Sequence, residues 1–112
     1  MSERMLRVNS ILREVLAEEI ERLSDERLEF VTVTGVDTSP DLRHAVVYID
    51  VLQADQRDVA VSALNKAAPR LRGSVGRQVR MKYTPDLRFE MDPGVVRGSR
   101  IEEIFRGLGE EE

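Results

Sequence analysis

Met5, Val8, Leu12, Val15, Leu16, Ile20 and Leu23 recur every three or four positions, while Glu14, Glu18, Glu21 and Arg22 fill the other faces. This spacing predicts an amphipathic helix from about Arg4 to Leu23, ended by Ser24-Asp25. Glu18 and Arg22 are placed for an i,i+4 ion pair. The period then changes from helical to alternating. Phe30 to Val36, rich in β-branched residues, predicts a strand, with a bulge at Gly35 where the alternation slips phase. Ser39-Pro40-Asp41 has turn chemistry. From Arg43 to Leu52 the alternation is clean: Ala45, Val47, Ile49 and Val51 share one side, His44, Val46, Tyr48 and Asp50 the other. The two strands are expected to form an antiparallel hairpin.

Helical spacing returns with Val59, Ala63 and Leu64, in a helix from about Gln56 to Lys66 capped by Asp55. Ala67-Ala68-Pro69 should interrupt it, because proline lacks an N–H and pushes the preceding residue out of the α region. Proline also suits a first helical turn, so a second helix is expected from Pro69 to Arg80. Its buried face would be Leu71, Val75 and Val79, with Arg70, Arg77 and Arg80 projecting oppositely, Gly73 between them and Arg72 on a flank. After Pro85, Leu87, Phe89 and Met91 alternate with Arg88, Glu90 and Asp92 in a third strand. A helical crossover between strands two and three favours their parallel pairing and makes strand two central. Ile101, Ile104, Phe105 and Leu108 suggest a short C-terminal helix.

These elements predict an α+β fold: one domain over residues 1–112, order α-β-β-α-kink-α-β, with a three-stranded mixed sheet and helices on one face. Residues 1–3 and 107–112 are expected to be disordered. No cysteine is present, which excludes disulfides and thiolate metal sites. No apolar run is long enough for a membrane span, and the N-terminus lacks the apolar stretch of a secretory signal. A cytoplasmic, soluble monomer is expected.

Charge sharpens the picture. Residues 66 to 88 hold seven basic side chains (Lys66, Arg70, Arg72, Arg77, Arg80, Lys82, Arg88) against one acid, Asp86, in a chain whose net charge is −4. Such a concentration in an acidic protein points to a polyanion. The competing explanation pairs these arginines with the acidic remainder across a solvated surface. Among aromatics, only Tyr83 interleaves with the basic segment, and its type and place suit packing and base stacking about equally; Phe89 fits the core. Catalytic signals are weak. His44, the sole histidine, has no evident nucleophile or orienting partner. Asp50, Asp55 and Asp58 lack calcium-loop spacing, and Gly94 to Gly98 lacks the spacing of a phosphate loop. No enzyme activity, metal or other cofactor is expected.

A broken helix between parallel strands, basic at and after the break, resembles a KH domain of the bacterial type II order. Asp25-Glu26-Arg27-Leu28 precedes Val31-Thr32-Val33-Thr34. Ser39-Pro40-Asp41-Leu42-Arg43-His44-Ala45 leads into Val47-Tyr48. Leu71-Arg72 is followed by Val79-Arg80, then Pro85, Leu87 and Phe89. In this order and spacing, over roughly residues 4 to 105, they resemble the ribosome-binding factor A (RbfA) family. The resemblance implies a non-enzymatic assembly factor that binds the immature small (30S) subunit and its 16S rRNA and assists late maturation and 5′-end processing. It also implies a helix–kink–helix in place of the KH Gly-x-x-Gly loop. The matching positions are Ala67, Ala68 and Pro69, with proline where the family has glycine. That shifts the expected RNA grip from a backbone clamp to the arginines among the seven cations. The alternative is an adaptor that docks a ribosomal protein or assembly GTPase through Glu14, Glu18 and Glu21 on the acidic first helix.

Overall fold

The computed structural model describes residues 2–95. Helix α1 spans Glu3–Arg22, and the Ser2 hydroxyl accepts a hydrogen bond from the Met5 N–H, closing its first turn. The expected disorder of residues 1–3 therefore does not extend to Ser2 and Glu3. Leu12, Leu16 and Ile20 are buried along one stripe of α1. Arg22 pairs with Glu19, at i−3, and not with Glu18. Ser24, at φ 52°, takes the chain out of the helix through the left-handed region. Asp25 then caps a 3₁₀ turn, Glu26–Leu28, that the hydrophobic pattern did not announce.

Strand β1 (Val31–Thr38) pairs antiparallel with β2 (His44–Val51). The register slips between Val33 and Gly35, which makes Thr34 the extra residue of the bulge expected at this point. Strand β3 (Asp86–Met91) runs parallel to β2, giving the order β1-β2-β3 with β2 central. Ala45, Val47, Ile49 and Val51 are buried together with Leu87 and Phe89, so one face of the sheet carries the core and both helices pack on it. Tyr48 leans over Gly35 on the opposite face.

Helix α2 (Arg57–Gln78) corrects two expectations. The helices foreseen on either side of Ala67-Ala68-Pro69 are one continuous 22-residue helix that contains Pro69. The reason lies in phase: Ala60, Leu64, Ala68, Leu71 and Val75 form a single buried seam that passes the proline without a break. Burying that seam outweighs the hydrogen bond that Pro69 cannot donate. Nor does Asp55 cap the helix. It lies in a 3₁₀ turn, Ala54–Gln56, and Gln56 holds the cap position without a side-chain hydrogen bond. The helix also stops short of Arg80: Val79 is already extended, its N–H bonded to the Val75 carbonyl. The expected C-terminal helix of Ile101, Ile104, Phe105 and Leu108 lies outside the described residues.

An asparagine guards each edge of the sheet. At one edge the buried Asn9 of α1 accepts the Thr38 N–H through Oδ1 at 3.0 Å, and Arg13 Nε donates to the Val33 carbonyl at 3.3 Å. At the other edge Asn65 of α2 accepts the Phe89 N–H at 2.9 Å and donates to its carbonyl at 3.1 Å, as a neighbouring strand would. These bonds satisfy main-chain groups that would otherwise offer a template to another strand. Replacing Asn9 by alanine leaves the buried Thr38 N–H without its acceptor. Urea unfolding should show a loss of about 1–3 kcal/mol, and an unchanged midpoint would mean that water takes over the bond.

Candidate nucleic-acid interface

Helix α2 builds most of the basic surface. Lys66, Arg70 and Arg77, with Gly73 between them, follow one another at steps of four, three and four, which keeps them on one face opposite the buried seam. At 1.5 Å per residue they cover about 16 Å of helix. All are exposed. Lys66 and Arg70 make no ion pair or hydrogen bond among the described residues, and Arg77 donates only to the Ser74 hydroxyl, at 3.0 Å. A side chain at Gly73 would have room, its Cβ meeting only the tip of Arg77 at 3.5 Å. The glycine therefore leaves bare backbone in the middle of the stripe without being demanded by packing.

The remaining cations divide. Arg80 and Lys82 are exposed in the segment between α2 and β3, where no helix sets their direction. Arg80 makes no ion pair among the described residues. Arg72 lies on the α2 flank that faces β3, donating to the Thr84 carbonyl at 3.1 Å and pairing with Asp86 at 3.2 Å. With both groups well exposed, that pair contributes about 0–1 kcal/mol and leaves the guanidinium only partly committed. Arg88 is set apart from the stripe. It alternates with the buried Leu87 and Phe89 and so projects from the sheet face that α2 does not cover, where it pairs with Glu90. Ala67 and Ala68 pack inward and Pro69 is exposed, all within the continuous helix.

One contributor escaped the sequence. Arg43 sits directly before β2, and its guanidinium carbon stands 4.0 Å above the centroid of the Tyr83 ring, with the Lys82 ammonium 5.5 Å from the same ring. Arg43 and Tyr83 are forty positions apart, so no spacing rule links them. The parallel pairing of His44 with Asp86 does. The turn that presents Arg43 is organised by Asp41, whose carboxylate accepts from the Ser39 hydroxyl at 2.6 Å and from the Arg43 N–H at 3.1 Å. The Ser39 hydrogen bond, then that of the Arg43 backbone, hold the Asp41 carboxyl below the usual carboxylate range. A depressed pKa contributes stability that is complete above the unfolded value, near 3.8, and is lost as pH falls through the folded value. Asp41→Asn should remove this acid-side component: stability against pH below about 4 should flatten relative to the parent chain in acid titrations followed by circular dichroism.

The acidic side of the molecule is separate. A cleft of about 980 Å³ opens between α1 and β1, lined by Glu14, Glu21, Asp25, Glu26 and Glu29. Glu18 does not line it. Asp25 is held below its usual range by hydrogen bonds from Arg27. Among the described residues, no cluster of three or more His, Asp or Glu is arranged to hold a metal ion, and no helix is long and apolar enough to cross a membrane.

Known proteins agree with this architecture. Residues 4–105 match the sequence profile described as "Ribosome-binding factor A". A ribosome-binding factor A of Rubrobacter xylanophilus is 42% identical over 110 residues, covering 97% of this chain and 90% of its own. The crystal structure of ribosome-binding factor A from Thermus thermophilus superposes with a TM-score of 0.73 at 34% identity, over 78% of this chain and 94% of that one. A Thermus thermophilus homology model fitted into a cryo-electron-microscopy map of a 30S–RbfA complex gives a TM-score of 0.63 at 36% identity, over 73% and 88%. With the α-β-β-α-β order, the mixed sheet and near-complete coverage in agreement, the chain belongs to the ribosome-binding factor A family.

Proposed function

We propose that this protein is a non-enzymatic ribosome assembly factor of the cytoplasm. In this role it binds the small (30S) subunit through 16S rRNA and assists late maturation and 5′-end processing. The observation that carries the RNA contact is the α2 stripe: Lys66, Arg70 and Arg77 on one exposed face, none of them paired with a carboxylate among the described residues. Arginine forks fit phosphate oxygens, and their placement on a rigid helix suits backbone tracking better than base-edge readout. The fitted 30S complex of a relative supports the small subunit as the partner.

Arg80 and Lys82 extend this surface, Arg72 contributes from its flank, and Arg88 is left outside it. The testing experiment is sedimentation with purified small subunits, together with filter binding to naked small-subunit rRNA, over a series of salt concentrations. Binding that weakens steeply with salt supports the proposal; salt-independent binding to particles, with none to naked RNA, overturns it.

The cleft beside α1 favours a second reading, an adaptor that docks a basic ribosomal protein or an assembly GTPase. Glu14 and Glu21 belong to it, joined by Asp25, Glu26 and Glu29 from the following turn. Under this reading naked rRNA is not bound, and charge reversal at Glu14 and Glu21 abolishes particle binding while Arg70 and Arg77 are dispensable.

A further inference from the structure

We propose that Arg43 and Tyr83 form a stacking site for one unpaired nucleobase at the end of the basic surface. The inference rests on the RNA-binding function proposed above and adds a different mode of contact. Tyr83 is 37% exposed, and it is flanked by cations rather than by acids. Phe30, more exposed still, follows Glu29 and shares a small hollow with Glu26 and with Arg27, whose guanidinium is already paired with Asp25, so it has no such setting.

The two side chains come from separate elements that the main chain locks together. The Asp86 N–H bonds to the Arg43 carbonyl at 2.9 Å, fixing the start of β3 against the start of β2. The hairpin turn is tied by the Ser39 N–H to the His44 carbonyl and by the Leu42 N–H to the Ser39 carbonyl, both at 2.8 Å. Leu42, buried although its φ is 64°, anchors the turn from below. A non-glycine residue in the left-handed region is held there by its surroundings. The main chain that carries Arg43 is thus held in place, and set against the start of β3, before any ligand arrives, which removes part of the ordering cost of binding.

Its chemistry is also uncommitted. Asp41, the carboxylate of the same turn, is engaged at Oδ1 by the Ser39 hydroxyl and by the backbone N–H of Arg43, and meets the Arg43 guanidinium only through space. The Arg43 guanidinium makes no hydrogen bond or ion pair among the described residues; what it meets is the ring. A guanidinium over an aromatic face is a column to which a base adds by stacking, while the N–H edges stay available to a phosphate. Stacking of this kind tolerates any base but requires one that is not already paired in a helix. The site therefore gives a protein that otherwise reads phosphates a means of selecting a strand with a splayed nucleotide over a closed duplex.

The test uses three fluorescently labelled RNAs: a single strand of about twelve nucleotides, the same strand with one base removed at its centre, and a perfect duplex. Affinities are measured by anisotropy for the parent chain and for Tyr83→Phe, Tyr83→Ala, Arg43→Ala and Arg70→Ala, each checked for folding by thermal denaturation. Tyr83→Ala should bind the single strand about 5- to 100-fold more weakly and leave duplex binding unchanged, whereas Tyr83→Phe should retain the parent affinity. A fifth variant measured in the same way, Tyr83→Leu, keeps the apolar bulk without the π face and should behave as Tyr83→Ala. If Tyr83→Ala and Arg43→Ala leave single-strand binding intact while Arg70→Ala weakens it, the stacking site is wrong and the RNA-binding function survives. If the parent chain binds none of the three RNAs, both fall.

Discussion

Alanine at Arg70, Arg77 and Arg80 together is expected to weaken small-subunit binding by at least about tenfold near physiological salt and to flatten its salt dependence. Each phosphate that is no longer neutralised should lower the slope of log affinity against log salt by roughly 0.7–0.9, so the slope of the triple variant should fall by about 2 to 3 units. The fold should hardly notice. The three side chains are exposed, and the one bond at stake is that of Arg77 to the Ser74 hydroxyl. Stability should therefore stay close to the parent value, within about 1 kcal/mol, which lets binding be judged apart from folding. Arg88→Ala is the internal control. It lies on the other face of the sheet, paired with Glu90, and its removal should change the slope little. Equal slopes for the triple variant and the parent would show that these arginines do not meet phosphate.

Pro69→Ala should stabilise the protein, by about 1–3 kcal/mol. An interior proline forfeits the hydrogen bond to the carbonyl four residues back, here that of Asn65, and its ring crowds that carbonyl; the usual cost is about 3 kcal/mol. Alanine restores the donor at an exposed site where the core is untouched. For a domain near this size each kcal/mol raises Tm by roughly 4–8 °C, so the shift is readily measured. Binding should change little, because Lys66, Arg70 and Arg77 already share one face of a helix that runs continuously through the proline. A variant that is no more stable than the parent would mean that the helix near Asn65 is held by its two bonds to Phe89 and cannot close on the new donor.

The gains and losses of reading the sequence follow physical lines. The strands, the hairpin, the bulge and the parallel crossover were legible because alternation and helical spacing report burial directly, and Val47, Ile49, Leu87 and Phe89 are indeed core. Pro69 misled because a local rule about proline was set against a seam whose continuity, from Ala60 to Val75, is a property of the whole helix. Asp55 misled for a related reason: the chain enters α2 through a 3₁₀ turn, so a residue with capping chemistry stands one place too early.

For the site, sequence alone determined which residues carry the positive charge and that Arg70 and Arg77 share a helical face, because composition and a 100° step suffice for both. Arg80, expected on that face, lies beyond the helix end, and Lys66 joins it only because α2 continues through Pro69. Only the tertiary structure decided that Arg72 shares its charge with Asp86 and that Arg88 turns to the far side of the sheet beside Glu90. It alone also brought Arg43 across to Tyr83 and set Asn9 and Asn65 against the sheet edges. Each of these pairings joins residues through strand register or helix docking, or turns on which face of the sheet the helices cover. Such relations depend on how buried surfaces meet in space, and local periodicity does not encode them.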